Sequence, residues 1–403
     1  MNELGKLASQ AMISPKEMLF EKKKNAKSLF IGIPKEISLQ EKRICLTPLA
    51  VALLVENGHD VIIETGAGSG ANFLDHHYSE QGARIVSSRE EVYQADLIIK
   101  VGSPTASEVK LMKERQLLLS SQQPSLMSLD VLKALMHKKI TAISYEYLRD
   151  EGGCLAVVRA MSEIVGATAT LIAGEYLSNA FGGKGLMLGG VTGVASTEVV
   201  IIGAGTVGEQ AARTALALGA QVKVFDNSIY KLRRLQNNLG SRVFTSVIQP
   251  IILNKAVISS DVVIGALRAR NGRSSCLISE ETVSKMKPNS VVIDVSIDQG
   301  GNFETSEVTS HDQPVFRKFD VIHYCVPNIA SRVARTATYA MSNIFTSILL
   351  DFAELGGLKN AIWKNPGIRS SIYLYQGNLT NADMASRFNM TAKDLDLLVV
   401  SSL

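Results

Sequence analysis

Residues 199–226, VVIIGAGTVGEQAARTALALGAQVKVFD, decide the fold class of this chain. Residues 199–202 are an apolar, β-branched run with the length and composition of a strand buried on both faces. Gly203-Ala204-Gly205-Thr206-Val207-Gly208 then fits G-x-G-x-x-G. Over residues 210–218 alanine and leucine recur at helical spacing, Gly219 stops the helix, and residues 222–225 supply a second strand before Asp226. Strand, glycine turn, helix, strand and acid in that order predict a dinucleotide-binding βαβ unit.

Each residue type has a physical job in such a unit. Gly203 permits the sharp turn, Gly205 lets the backbone approach a pyrophosphate, and Gly208 lets the helix lie close to the strand. The free N–H groups at the helix start, around Val207, face the phosphates. Asp226 is placed to accept hydrogen bonds from the two ribose hydroxyls, and its charge repels a 2′-phosphate, which favours NAD(H) over NADP(H). Three glycines can also serve a tight turn alone; the flanking strands and the acid favour the cofactor.

The length of 403 residues suggests two or three domains. With 46% hydrophobic and 20% charged residues and 31 glycines, the composition is that of a soluble α/β protein. A net charge of +4 with scattered basic residues gives no nucleic-acid footprint. Cys45, Cys154, Cys276 and Cys325 show no C-x-x-C spacing, so neither a zinc site nor a disulfide framework is expected, and a reducing cytoplasm is. No signal-peptide core and no run of about 18 apolar residues is seen, so no membrane partner is expected.

The organisation follows the same alternation. Residues 1–28 read as an N-terminal extension, with Ser14-Pro15 as a helix start. Strands are expected at 29–33, 61–64, 83–86, 97–101, 117–120 and 140–144, with helices such as 107–113 and 129–137 between them; Thr47-Pro48 marks a capped helix start. Strands at 262–265, 290–295 and 321–326 extend the cofactor sheet, the last of these closing it. Two long helical stretches, 160–178 and 336–355, suit helices bridging two domains, and a loosely patterned tail follows. The predicted fold is α/β, two Rossmann-like domains with doubly wound parallel sheets. Residues 29–157 and 336–403 form a discontinuous substrate domain and 158–335 the NAD-binding domain.

Several blocks together resemble the alanine dehydrogenase family, which shares its fold with the NAD-binding part of proton-translocating transhydrogenase. They are GIPKEISLQEKRICLTP at 32–48, KVGSP at 100–104, MSEIVG at 161–166, GGKGLMLGGVTGV at 182–194, VVIDVSIDQGG at 291–301 and HYCVPNIASRVARTAT at 323–338, besides the glycine motif. The resemblance implies an NAD-dependent interconversion of a 2-amino acid and a 2-oxo acid by a homo-oligomer, usually a hexamer, whose two domains close on the substrate. By the same resemblance Arg43 grips the substrate carboxylate, for which the planar guanidinium is suited. Asp298 matches the active-site aspartate beside substrate and cofactor, Asn328 a residue beside the nicotinamide, and Ser162 a cofactor contact. The plainer alternatives are a salt bridge from Arg43 to Glu41 or Glu36, turn formation by Asp298 and Asn328, and a helix N-cap for Ser162.

Two family residues are missing. Gly102 stands where the family carries a substrate-binding lysine, and Gln122 or Gln123 where it carries a histidine. A glutamine donates a hydrogen bond but does not take up or release a proton near neutral pH. Alanine is therefore expected to be a poor substrate, with Gln123 as the residue at the proton-relay position. Lys100, two residues before Gly102 on the same strand face, is a candidate to reach the substrate, or else a lysine without that role. His323 reads as packing at a strand start. The competing functions are a dehydrogenase of a 2-amino acid other than alanine, an NAD(H)-binding or regulatory protein without turnover, and a transhydrogenase-like subunit.

Overall fold

The computed structural model describes residues 28–37, 40–122, 127–268 and 276–401. Most of the expected N-terminal extension, and Gln123 with it, lies outside the described residues. The described chain divides into two compact units. One takes the residues up to Glu36, Arg43–Val157 and those from Thr338 onward; the other takes Ile37–Lys42 and Val158–Ala337.

Among the described residues the strands, in chain order, are β1 (Phe30–Ile33), β2 (Asp60–Glu64), β3 (Arg84–Val86), β4 (Leu97–Ile99), β5 (Leu117–Ser120), β6 (Thr141–Ser144), β7 (Glu198–Ile202) and β8 (Gln221–Phe225). They continue with β9 (Phe244–Ser246), β10 (Val262–Gly265), β11 (Val291–Asp294), β12 (Val315–Lys318), β13 (Val321–Tyr324), β14 (Ile372–Tyr375) and β15 (Asn378–Leu379). The first unit's sheet runs β15-β14-β6-β5-β4-β1-β2-β3, and the second unit's runs β12-β13-β11-β10-β7-β8-β9. Strand order reverses at β1 and at β7, as crossover helices laid on both faces require.

Both sheets are mostly parallel, as expected, and each adds antiparallel pairing toward one edge. β14 runs antiparallel to β6 and to β15, and β12 runs antiparallel to β13. The strand expected to close the cofactor sheet, β13, therefore has β12 beyond it. The tail carries a hairpin that completes the first sheet; all four residues of β14 are buried and β15 has only two, so periodicity alone does not expose them.

The second sheet shows why the sequence doubly winds. Val199, Ile201, Val262, Ile264, Val291 and Ile293 pack into one apolar core, while Val200, Ile202, Val263 and Val292 pack into another. Alternate residues of continuous apolar strands thus meet helices on both faces.

The Ala156–Leu177 helix, at a mean hydropathy of 1.4, is by length and composition able to cross a membrane, a feature the sequence reading did not find. Ala169, Ile172, Ala173 and Tyr176 of this helix are buried in the second unit's core. From Thr338 on, the Ala334–Glu354 helix belongs to the first unit and turns a polar row inward. Thr338 and Ser342, one turn apart, accept the backbone N–H groups of Ile44 (3.1 Å) and Thr47 (3.0 Å).

Candidate active site

The glycine turn is built as a dinucleotide would need. Gly203 has φ of +114°, and a Cβ there would lie 2.6 Å from the Ala266 carbonyl oxygen. A Cβ on Gly208 would lie 1.8 Å from the Gly203 carbonyl oxygen, so only glycine lets the helix start sit against the turn. At Gly205 an added Cβ would meet nothing within 4 Å. Gly205 caps the Thr206–Ala217 helix without any side-chain bond, so the N–H groups of its first turn, Val207 among them, have no side-chain cap. The helix starts four residues before the apolar pattern suggested, because the glycine turn itself forms its first turn.

Asp226 is buried at the end of β8, and its carboxylate accepts from Ala204 N and from Ser228 N, each at 2.8 Å. It braces the turn from below. Ser162 lies in the interior of the Ala156–Leu177 helix, seven residues in, which removes the N-cap alternative. Gly166, one turn on, is so close to the second helix that its Cβ would meet the Val207 carbonyl oxygen at 2.3 Å, and Thr170 Oγ1 donates to Ala211 O at 3.2 Å. Residues 162, 166 and 170 share one helix face, so Ser162 is carried toward the start of the Thr206–Ala217 helix.

Asp298 sits in a single 3₁₀ turn, Ile297–Gln299, just beyond β11. Burial raises its carboxyl pKa, and the Arg268 guanidinium opposes that rise. The loop is organised by Asp294, fully buried at the end of β11, which accepts from Ser296 N (3.1 Å), Asn302 N (2.7 Å) and Ser306 Oγ (2.7 Å). The Asn302 side chain in turn clasps the backbone of Leu267, accepting from its N–H at Oδ1 and donating from Nδ2 to its carbonyl oxygen, each at 3.0 Å. Sequence reading missed Asp294, although an acid ending an all-apolar strand is signal enough to ask what it holds. His323 is fully buried: its Nδ1–H donates to Val321 O at 3.1 Å, its Nε2 pairs with Thr305 Oγ1 at 2.8 Å, and burial brings its pKa down to about 4. It packs within the sheet as a neutral residue.

Asn328 caps the 3₁₀ turn Ile329–Val333, and its Nδ2 donates to Glu41 Oε2 at 2.9 Å. Glu41 lies in Ile37–Lys42, the short stretch that packs with the second unit.

In the first unit Arg43 precedes the stretch pinned by Thr338 and Ser342, and Thr47 then caps the Pro48–Glu56 helix by accepting from Ala50 N. Lys100 is buried, with Nζ 2.8 Å from Glu108 Oε1 and 3.5 Å from Glu36 Oε2. Glu108 is also the partner of Thr105 in a capping box, a T-x-x-E pattern readable in the sequence. Its carboxyl pKa is lowered: burial pushes it up, but Lys100 and Thr105 together outweigh that. Lys100 thus spends its charge on holding residues 101–108. Gln122 is buried, donates its backbone N–H to Glu146 Oε2 at 3.1 Å, and turns its side-chain amide against Met384 in the unit's interior.

Two family descriptions match this chain, alanine dehydrogenase/PNT N-terminal domain over residues 32–165 and alanine dehydrogenase/PNT C-terminal domain over 169–382. The chain belongs to the alanine dehydrogenase/PNT family. It is 39% identical over 368 residues to an alanine dehydrogenase of Methanococcus maripaludis, covering 90% of this chain and 97% of that one. A solved L-alanine dehydrogenase matches with a TM-score of 0.83 and 36% identity over 89% of this chain and 99% of its own. The transhydrogenase of Sinorhizobium meliloti shares the fold, with a TM-score of 0.73, 23% identity, and 87% and 99% of the two chains covered.

Within this family member the positions fall into two groups. The second unit gathers Ser162, the glycine turn, Asp226, Asp298 and Asn328. The first carries Arg43, Lys100, Gly102 and Gln122. Among the described residues Gly102 is not one of the glycines with positive φ, so its backbone would accept a side chain.

Proposed function

We propose that the chain is an NAD-dependent dehydrogenase of a 2-amino acid, converting amino acid, NAD⁺ and water to 2-oxo acid, ammonium, NADH and a proton, and the reverse. The observation that carries this reading is the open cradle at Gly205, in a chain that matches both domains of the family. Bound NAD⁺ supplies the hydride acceptor. The chain's own residues bind and orient: Gly203, Gly205, Gly208 and the Val207 N–H take the pyrophosphate, Asp226 the ribose diol, Ser162 and Asn328 the nicotinamide end. Arg43 holds the substrate carboxylate. Asp298 faces the ammonium and takes its proton or stabilises its charge as the carbon–hydrogen bond breaks. Lys100 supports the pocket from behind, through Glu108 and Glu36. Gln123 stands in the sequence at the position of the family histidine, and a glutamine does not relay a proton near neutral pH. With glycine at 102, the pocket suits a side chain larger than that of alanine.

A second reading, an NAD(H)-binding or regulatory protein without turnover, is favoured by the absence of lysine at 102 together with the pairing of Lys100 to Glu108 and Glu36; a transhydrogenase-like subunit shares the absence. The test is a panel of 2-amino acids, and of 2-oxo acids with ammonium, followed by NADH absorbance in both directions. Turnover of one pair supports the dehydrogenase. NADH binding without turnover of any pair supports the second reading.

The same reading places the protein in the cytoplasm as a homo-oligomer, hexameric by resemblance. Its support is an exposed apolar hollow of about 430 Å³ on the second unit, lined by Leu171, Leu186, Met187 and Leu218, with Met187 61% exposed. Light scattering on wild type and Met187→Lys tests it: a larger species that the variant breaks down supports assembly, and a monomeric wild type excludes it.

A further inference from the structure

Residues 40–42 and the 311–331 region of the second unit are joined by a closed set of hydrogen bonds that none of the roles above uses. The His311 ring nitrogen Nε2 lies 2.9 Å from the Asn328 carbonyl oxygen, and the His311 backbone N–H donates to Gln40 Oε1 at 2.5 Å. Asn328 Nδ2 donates to Glu41 Oε2 at 2.9 Å. Ser331 Oγ accepts from Lys42 N at 2.8 Å and donates to Gln40 O at 3.0 Å. Gln40 is held besides by Asp312.

The chemistry of these groups fixes direction. A carbonyl oxygen only accepts, so the His311 Nε2 carries the proton in this contact. Burial lowers the His311 pKa; the bond to the Asn328 carbonyl and Glu41 oppose that, Lys42 and Arg332 add to it, and the net shift is downward from 6.5, so the ring is mainly neutral at pH 7. Protonation in acid leaves Nε2–H in place, and the bond to Asn328 survives it. An ionised carboxylate also only accepts, so Glu41 can be met by the Nδ2 of Asn328 and not by Oδ1. The amide is thereby held in one of its two flips.

We propose that His311 and Glu41 are positioning residues for the cofactor. His311 fixes the Asn328 backbone and Glu41 fixes the side-chain flip, which leaves Oδ1 and the second N–H of Asn328 for the carboxamide of a nicotinamide. Gln40 and Ser331 close the set, so the placement of residues 40–42 and of Asn328 is one event. This rests on the dehydrogenase reading, in which Asn328 lies beside the nicotinamide.

The test is NADH titration by fluorescence on the full chain, with thermal melts and, where a substrate pair is turned over, kcat and KM for the cofactor. His311→Ala and Glu41→Ala are expected to weaken NADH by roughly three- to tenfold each, the range of one lost hydrogen bond. Cofactor KM rises in step while Arg43 and Asp298 remain in place. His311→Gln, whose amide nitrogen reaches the place of Nε2, recovers most of the affinity, whereas His311→Asn, one carbon shorter, does not. Folded His311→Ala and Glu41→Ala with wild-type NADH affinity overturn the proposal. If the alanine variants do not fold, equal affinity in His311→Gln and His311→Asn overturns it instead. A wild type that fails to bind NADH overturns the dehydrogenase reading beneath it, which separates the two failures.

Discussion

Asp226 accepts from Ala204 N and Ser228 N, so a serine there removes a brace for the glycine turn along with the charged acceptor for a ribose. Hydrogen bonds to charged groups contribute about 1.5–3 kcal/mol, and Asp226→Ser is expected to weaken NADH by roughly tenfold or more and to lower the melting temperature. Calorimetric titration with NADH and NADPH, beside melts, checks both; equal affinity of the wild type for the two cofactors would refute the assignment. Asp298 offers a pH test. Its carboxyl pKa is raised by burial above the ordinary 3.8, with Arg268 opposing. Only the ionised form can face an ammonium, so activity is lost as pH falls through the raised pKa, and the acid limb of kcat/KM lies above 3.8. Arg268→Ala removes a group that favours the charge and shifts that limb further up, while Asp298→Asn abolishes turnover with NADH binding retained. A limb that stays in place in Arg268→Ala belongs to another group.

The Ala334–Glu354 helix shows how much of an element the sequence discloses and where it stops. Its length and period are plain over 336–355, but the reason it returns to the first unit is a polar row, Thr338 and Ser342, whose partners are backbone groups near residue 45. No local pattern announces a partner some 290 residues away. Ser342→Ala leaves the buried N–H of Thr47 without its acceptor, and a loss of about 1–3 kcal/mol is expected, read from denaturant midpoints. Because Arg43 leads into this stretch, the KM for the amino acid should rise as well. A variant as stable as wild type would show that water replaces the hydroxyl. The strands were legible where apolar runs are bounded by Gly, Pro or Asp, as at β8 and β10. β9, β12, β14 and β15 are edge or near-edge strands of two to four residues, a length at which periodicity carries almost no information and only a bounded apolar run marks a strand.

Taken together, the ligand-facing chemistry was more legible than its support. Glycines with a steric reason, an acid after a strand and an arginine before a capped helix are visible as residue types in a pattern. Asp294, Glu108, Glu146 and His311 act through loops, and only the folded arrangement shows what each one holds. The missing lysine and histidine can now be tested with less slack. Gln122 faces Met384 inside its unit, so a histidine there would be buried, and Gln123 is the position to change. Gly102→Lys with Gln123→His is expected to raise alanine oxidation by more than the sum of the two single variants, because residues acting as a unit are strongly non-additive. Steady-state alanine oxidation by the four proteins decides it, and brisk turnover by the wild type would show that neither residue is needed.

The interleaving of β14 beside β6 also bears on how the chain is made. Six strands of the first sheet are synthesised by Ser144, yet the neighbour that covers β6 arrives only at Ile372. At the pace of a ribosome, about 5–20 residues per second, that open strand edge waits for on the order of ten seconds or more. The second unit is nearly continuous in sequence and can close in the meantime. The nascent chain therefore carries a finished nucleotide-binding body behind an unfinished sheet, and it is the unfinished sheet that a chaperone has reason to attend.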